Sequence, residues 1–311
     1  YMNAEVYTGT ADWANAKLYA KKVIDSPYKL YTTKKGQWSA YQQLFMGDNG
    51  ENGASVEAIF PILQDGLKTT SYGTTLYLMA GSNDNSEHIK SATVKGNNTT
   101  GGWAGNRMRP DLVLKFFPNN DAPNVAAYAM PAAADDDRAL FDGEGRNVSN
   151  GDDEKSVKVF TNGFSVCKFN NFKTDGTAGH NALFPDADFF LMRAAEAYLM
   201  YAEADARQNN GTTTAQGTAY INALRTRANA TTQTAYSLRQ ICDEWSREFY
   251  FEGLRRTTLI RFGYFGGNVN YNWSWKGGVK SGRNFDSHLN LFPIPTSDMV
   301  ANSNLIQNTG Y

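Results

Sequence analysis

The chain has 311 residues, a formal net charge of −1, 41% apolar and 13% aromatic side chains, with 17 Tyr and 6 Trp. Near-neutral charge excludes the basic footprint of a nucleic-acid binder, and no apolar run reaches the ~18 residues of a membrane-spanning helix. Two cysteines, Cys167 and Cys242, cannot build a disulfide framework and stand in no metal-ligand spacing; Cys242 falls on an apolar helical face and reads as a small core residue.

Residues 1–27 are expected to form a helical hairpin. Tyr1-Met-Asn-Ala-Glu-Val-Tyr7 reads as the end of a helix already under way, without a signal peptide or initiator Met. The expectation is therefore a C-terminal portion of a longer protein, with any secretion signal or lipid-anchoring cysteine upstream. Gly9-Thr10 breaks the first helix, and Thr10 or Asp12 can cap the second. Ala16, Tyr19, Ala20 and Val23 then recur at helical spacing as one apolar stripe, and Ser26-Pro27 ends it. Small residues with one aromatic knob resemble a tetratricopeptide-type hairpin.

Residues 28–188 are punctuated by Gly and Asn. Segments 58–62, 75–79 and 164–169 read as short strands or extended pieces between long loops. Arg109-Pro-Asp-Leu-Val-Leu-Lys-Phe-Phe117 predicts a short helix with Pro110 in the first turn, where a missing N–H costs nothing. Segment 131–155, rich in acids and Gly, reads as a surface excursion. Residues 189–311 return to helices. Leu191, Ala194, Ala195, Tyr198, Leu199 and Ala202 keep helical spacing, as do Ile221, Leu224 and Ala228. Leu238, Ile241, Cys242, Trp245 and Phe249 do so again, up to Gly253.

Long loops in a compact chain usually carry function, and three constellations stand out. The first pairs Ser71-Tyr72-Gly73 with Thr99-Thr-Gly-Gly-Trp103-Ala-Gly105. Glycines on both sides let the backbone carry the Trp103 ring outward, where the axial C–H face of a pyranose can stack; each such stack is worth on the order of 1–2 kcal/mol. The alternative is an indole tucked inward as a loop anchor. The second is oxygen-rich: Asp48-Asn-Gly-Glu-Asn-Gly53 suits a hard cation, with Pro185-Asp186-Ala-Asp188 able to add carboxylates. A solvated turn and a helix cap at Asp188 is the competing reading. The third is the set Glu196, Glu203, Glu244, Glu248 and Glu252. A glycosidase needs two carboxyls across a cleft, but Arg193, Arg225, Arg227, Arg247, Arg255 and Arg256 stand within helical reach, so the acids read as ion pairs that fix packing. His88, His180 and His288 lie on loops in no zinc or nucleophile pattern. Trp273 and Trp275 read as a clamp on the C-terminal tail, with a second sugar platform as the alternative.

In combination, Leu191-Met-Arg-Ala-Ala-Glu-Ala-Tyr198, Trp245-Ser-Arg-Glu-Phe-Tyr-Phe-Glu-Gly-Leu-Arg-Arg256, Leu291-Phe-Pro-Ile-Pro295 and Asn304-Leu-Ile-Gln-Asn-Thr-Gly-Tyr311 resemble the SusD/RagB family of Bacteroidetes surface glycan-binding lipoproteins. Gln64-Asp-Gly, Tyr72-Gly, Trp103 and Lys115-Phe-Phe117 follow the order of its starch-binding branch. The resemblance implies a mainly α SusD-like fold, tetratricopeptide-type hairpins framing a long loop-rich ligand-binding region, with the family's N-terminal half missing from this chain. It implies Tyr72 and Trp103 as sugar-stacking residues, no catalytic residue and no required cofactor. It also implies a structural calcium held by Asp48, Asn52, Asp186 and Asp188. The implied partners are an oligosaccharide or polysaccharide, starch or another α-glucan first, and a TonB-dependent SusC-like transporter. The implied place is the outer-membrane surface, with the membrane reached only through an upstream lipid anchor. Two other classes remain open: a glycosidase, which would need a carboxyl pair without arginine partners, and a protein-interaction module built on the hairpin.

Overall fold

The computed structural model describes residues 1–3, 10–70, 74–100, 102–147, 159, 162–267 and 270–311. Its frame is helical. Helix α1 (Trp13–Asp25) starts where the Asp12 carboxylate accepts a hydrogen bond from Asn15 N at 2.9 Å. Its buried face is Ala16, Ala20 and Ile24, an i, i+4, i+8 row. Tyr19, expected in that stripe, is instead 46% exposed and stacks on Tyr1 at 5.4 Å, because Ile24 takes its place on the buried side. Residues 4–9, where the preceding helix was expected, lie outside the described residues.

The helical continuation follows the sequence pattern closely. Helix α6 (Ala194–Gln208) packs against α1, α7 (Ala215–Arg227) and α8 (Leu238–Phe249). Its buried alanines 194, 195, 197, 202, 204 and 206 present almost no side-chain bulk, so neighbouring helices approach closely. Leu199, Ile221, Leu224, Ile241, Trp245 and Phe249 fill the seam. Each buried Leu or Ile there contributes roughly 1.5–3 kcal/mol. A capping box, Ser237 with Gln240, opens α8. Helix α9 (Arg255–Arg261) follows a turn in which Gly253 adopts φ +81°, a left-handed value that disfavours any residue with a Cβ. One boundary differs from expectation: Phe189–Arg193 is a strand, β5, and the helix begins only at Ala194.

The loop-rich part is organised by two small antiparallel sheets. Strand β1 (Ala58–Ile62) pairs with β5, with Phe60 opposite Met192 and Ile62 opposite Phe189. Strands β2 (Arg107–Met108), β4 (Phe164–Val166) and β3 (Phe141–Asp142) form the second, in the order β2-β4-β3. Between them lie α2 (Ala40–Gln43), α3 (Thr74–Ser82), α4 (Pro110–Val113) and α5 (Met130–Ala134). Helix α4 has Pro110 in its first turn, as predicted. Segment 75–79 is helical rather than extended. A short apolar run fits either state, and here Leu76, Met79 and Ala80 turn to one buried side. Segment 131–155 is likewise no mere surface excursion in its first half. Met130, Ala139, Leu140 and Phe141 are buried, and with Phe116, Phe117 and Phe164 most of them build an aromatic core; residues 148–155 lie outside the described residues.

A buried ionic network ties the loop-rich part to the helices. Arg193 donates to Glu57 at 2.9 Å and Glu248 at 2.6 Å, with all three side chains fully buried, and to Glu252 at 2.8 Å. Arg138 reaches Asp136, Glu244 and Glu248. Lys168 meets Glu252 at 2.6 Å. Burial pushes the Lys168 amine down to about 8, against the pull of Glu252. Such networks hold position more than they add net stability, and this one ties Glu57, Arg138, Lys168 and Arg193 to α8 and the turn after it. The C-terminal helix α10 (Thr296–Ala301) sits on the outside, while Arg256 holds the preceding tail through the carbonyls of Leu289 and Asn290.

Candidate functional site

Helix α3 and the loop after Gly101 position an aromatic surface. Tyr77 points away from the buried Leu76 and Met79 and is 61% exposed. One turn further on the Tyr77 side lie Ala80 and Gly81, at i+3 and i+4. Their small size leaves a shelf, and the loop lies on it. Trp103 N donates to Ala80 O at 2.5 Å, Asn106 N to Gly81 O at 2.5 Å, and Ala104 N to Asn83 O at 3.1 Å. A Cβ on Gly102 would stand 1.8 Å from the Asn83 carbonyl oxygen, so only glycine permits this approach. Ala104 adopts φ +51° and is buried, turning the chain back beneath the indole.

The result is a Trp103 ring that is 51% exposed and meets Tyr77 edge to face, with ring centroids 5.4 Å apart and planes at 69°. The inward-anchor alternative therefore does not hold for Trp103. Tyr72, its expected mate, lies outside the described residues. An extended 75–79, as the sequence suggests, gives no reason to single out Tyr77. A helical reading would have placed it opposite Leu76 and Met79, and hence outward. Asn106, on the same loop, is exposed and has no side-chain hydrogen-bond partner among the described residues.

The four oxygen-bearing residues expected around a cation stand in two hydrogen-bond sets. Asp48 Oδ2 accepts from Thr174 N and Oγ1 at 3.0 and 2.5 Å, and its Oδ1 from Asn52 Nδ2 at 3.3 Å. Asn52 Oδ1 is taken by Ala54 N. In the other set, Asp186 accepts from Gly66 N, His180 N and the His180 ring, and Asp188 Oδ1 from Gln64 N at 2.7 Å. Burial, with Glu51 and Asp186 nearby, raises the Asp188 carboxyl above its ordinary value. Ligand atoms of Asp65, His180 and Asp186 lie within 4.8 Å of one another, a group to which Asp48 and Asp188 do not belong. Asp48, Asn52, Asp186 and Asp188 thus each accept a hydrogen bond from a protein donor, and Asn49 on the same loop as Asp48 bonds the Asp188 backbone.

The carboxylates are engaged as expected, with one exception. Glu203 binds Arg207 and Arg261, Glu244 binds Arg138, Arg225 and Arg247, and Glu248 binds Arg138, Arg193 and Arg227. Glu196 has no ion-pair partner among the described residues, because Arg193 faces the other way into the network. Burial, only partly offset by Arg193, raises its carboxyl to about 7. Arg255 serves Cys242 O and the Tyr271 hydroxyl instead of an acid. Both cysteines are buried and free. Trp273 packs on Phe265 at 6.1 Å within a cluster that includes Tyr271 and Leu259, residues that precede the C-terminal tail.

A cavity of about 800 Å3 opens beside α4 and α8, lined by Lys115, Arg239, Asp243, Tyr271 and Trp273 among others. Lys115 and Asp243 are spent on each other at 2.5 Å. Trp103 and Tyr77 lie outside it.

Residues 56–311 match the SusD family model. The chain is 40% identical over 343 residues to the starch-binding protein SusD of Bacteroides thetaiotaomicron, an alignment covering all of this chain and 58% of that protein. Among solved structures, a SusD-like protein of Bacteroides fragilis superposes with a TM-score of 0.60 at 16% identity, covering 100% of this chain and 63% of that one. Surface glycan-binding protein A from Bacteroides thetaiotaomicron in complex with laminarihexaose superposes with a TM-score of 0.55 at 20% identity, covering 95% and 59%. These structures share the fold. The chain belongs to the SusD family.

Proposed function

We propose that this SusD-family chain supplies a non-catalytic surface that captures oligosaccharide or polysaccharide, with starch or a related α-glucan as the favoured ligand. The observation that carries the reading is the half-exposed indole of Trp103, held outward on a loop by backbone hydrogen bonds to α3. An indole so fixed loses little freedom on stacking against a sugar face. Tyr72, one residue before Gly73 in the sequence, is the second stacking residue of this reading. The 40% identity to a starch-binding protein favours α-glucan over other glycans.

Chemistry speaks against hydrolysis. Retaining and inverting glycosidases alike use two carboxyl groups that face the scissile bond. Of the five helical carboxylates singled out, Glu203, Glu244, Glu248 and Glu252 are each held by arginine. In this reading the captured glycan passes to a TonB-dependent transporter at the outer-membrane surface, with a lipid anchor upstream of this chain. No described helix is long and apolar enough to cross a membrane.

Tryptophan fluorescence titration with maltoheptaose tests the binding step, beside a glycan-affinity gel run with several polysaccharides. Trp103→Ala is expected to abolish the fluorescence shift. Unchanged binding in that variant would reject the assigned site, and a wild type indifferent to every glycan would favour the interaction-module alternative.

A further inference from the structure

We infer that the cavity beside α4 and α8 is a second ligand site, separate from the Trp103 surface, and that it takes a small organic carboxylate with an apolar body the size of an aromatic ring system. The inference does not depend on the glycan-capture reading above.

The walls define the body of the ligand. At about 800 Å3 the space falls within the size range of small-molecule sites. Trp245, Phe249, Tyr250, Leu259 and Tyr271 line it and are all buried, so its floor is aromatic and apolar. An apolar body that enters leaves water and gains contact on several sides.

The charges define the head group. Six cationic side chains line the cavity against two acids, Asp111 and Asp243. Lys115 is paired with Asp243, and Arg225 and Arg247 share Glu244. Arg109, Arg239 and Arg255 have no carboxylate within ion-pair distance among the described residues. Arg109 donates to Ser274 O, and Arg255 to Cys242 O and the Tyr271 hydroxyl, all neutral acceptors. Arg239, in the first turn of α8, is exposed and has no hydrogen-bond acceptor among the described residues; Asp243, one turn further along, is turned to Lys115. The Arg239 guanidinium lies over the Tyr271 ring, 4.2 Å from its centroid, and that of Arg255 stands 6.0 Å from the same centroid. Stacking on a ring fixes the plane of a guanidinium and leaves its N–H edge free to meet a carboxylate with two parallel bonds. A carboxylate beside Tyr271 therefore meets two cations that no described acid answers. A neutral sugar would leave that charge unanswered.

Calorimetric titration of the full chain with 2-naphthoate, the neutral 2-naphthamide and acetate tests this, for wild type, Arg239→Gln, Arg239→Lys and Trp103→Ala. Wild type is expected to bind 2-naphthoate at one site per chain, 2-naphthamide about ten-fold more weakly because the charge-assisted pair is lost, and acetate not measurably, since it has no body to bury. Arg239→Gln breaks no hydrogen bond of the fold; it is expected to lose about ten-fold for 2-naphthoate and nothing for 2-naphthamide. Arg239→Lys falls between, because it keeps the charge without the planar fork. Trp103→Ala binds 2-naphthoate as wild type does. Absence of 2-naphthoate binding to wild type overturns the site. Equal affinity for acid and amide, or wild-type affinity in Arg239→Gln, overturns the carboxylate assignment. Loss of 2-naphthoate binding in Trp103→Ala places the probe on the Trp103 surface and overturns a separate site.

Discussion

Arg193, the last residue of β5, donates to Glu248 of α8 at 2.6 Å with both side chains fully buried. Arg227 shares the same carboxylate, and Arg138 reaches its other oxygen. Three guanidinium groups therefore converge on one acid. Burial alone would raise its pKa, but Arg227, Arg193 and Arg138 outweigh burial and hold it at about 2, against an ordinary 4.5. Glu248→Gln removes the one charge that all three share. We expect a loss of about 3–5 kcal/mol in urea unfolding, because breaking a buried pair leaves uncompensated charge behind. The pH dependence follows from the depressed value: the stabilisation is complete above about 4.5 and disappears as pH falls through about 2. Wild-type stability should thus drop over that window more steeply than that of Glu248→Gln. Equal slopes would show that the carboxylate is not held by its arginines.

Glu196 behaves in the opposite sense. Its neighbour in sequence, Arg193, is committed elsewhere, and burial lifts its carboxyl from 4.5 to about 7. Between those values the folded protein keeps a proton that the unfolded chain has released. Stability therefore falls as pH rises through this interval. Glu196→Gln cannot ionise, so it should exceed wild type at pH 8 by roughly 1–2 kcal/mol, since the side chain is only partly exposed, and match it near pH 4. Thermal unfolding at the two pH values checks this; a variant less stable at pH 8 would mean the charged form has a partner after all.

Much of this architecture could be read from residue order, and the failures share a cause. The helices of the last third carry long apolar periods, and Ile221, Leu224, Ile241, Trp245 and Phe249 are buried as their spacing required. Long periodic segments average out local ambiguity. Segment 75–79 is five apolar or neutral residues, too short to distinguish period 2 from 3.6, and its helix is decided by the packing of Leu76 and Met79. That single misreading hid Tyr77. The i, i+4 logic found the acids of the ionic network but only some of their partners. Glu57, Arg138 and Lys168 join it across more than 50 residues of chain, and such distances leave no local sequence signal. Trp103 was legible because glycines around a lone indole have no explanation in helix or strand patterning.

Gly102 offers a way to spoil the platform without touching either ring. Its missing Cβ is what lets the loop rest on the Asn83 backbone, a rigid obstacle rather than a flexible side chain. Gly102→Ala must lift the loop and strain the bonds from Trp103 N to Ala80 O and from Ala104 N to Asn83 O. The loop is peripheral to the main apolar clusters, so global stability should change by no more than about 1–2 kcal/mol. Maltoheptaose affinity should fall at least ten-fold. A variant with wild-type affinity would show that the indole does not depend on this shelf.

Fluorescence quenching isolates the indole in question. Of the six tryptophans, Trp38 and Trp245 are 2% and 3% exposed, whereas Trp103 is 51% exposed. Trp13, Trp273 and Trp275 are intermediate, and two of these are partly covered: Trp13 by Arg207 and Trp273 by Phe265 and Lys276. A neutral quencher such as acrylamide should therefore reach Trp103 first. Trp103→Ala should remove the most accessible emission component, while the slow component from the buried rings persists. Saturating maltoheptaose should protect that same component in wild type and change nothing in the variant. Protection that survives in Trp103→Ala would place the sugar on another ring, with the Trp273 cluster the first to be tested by the same substitution.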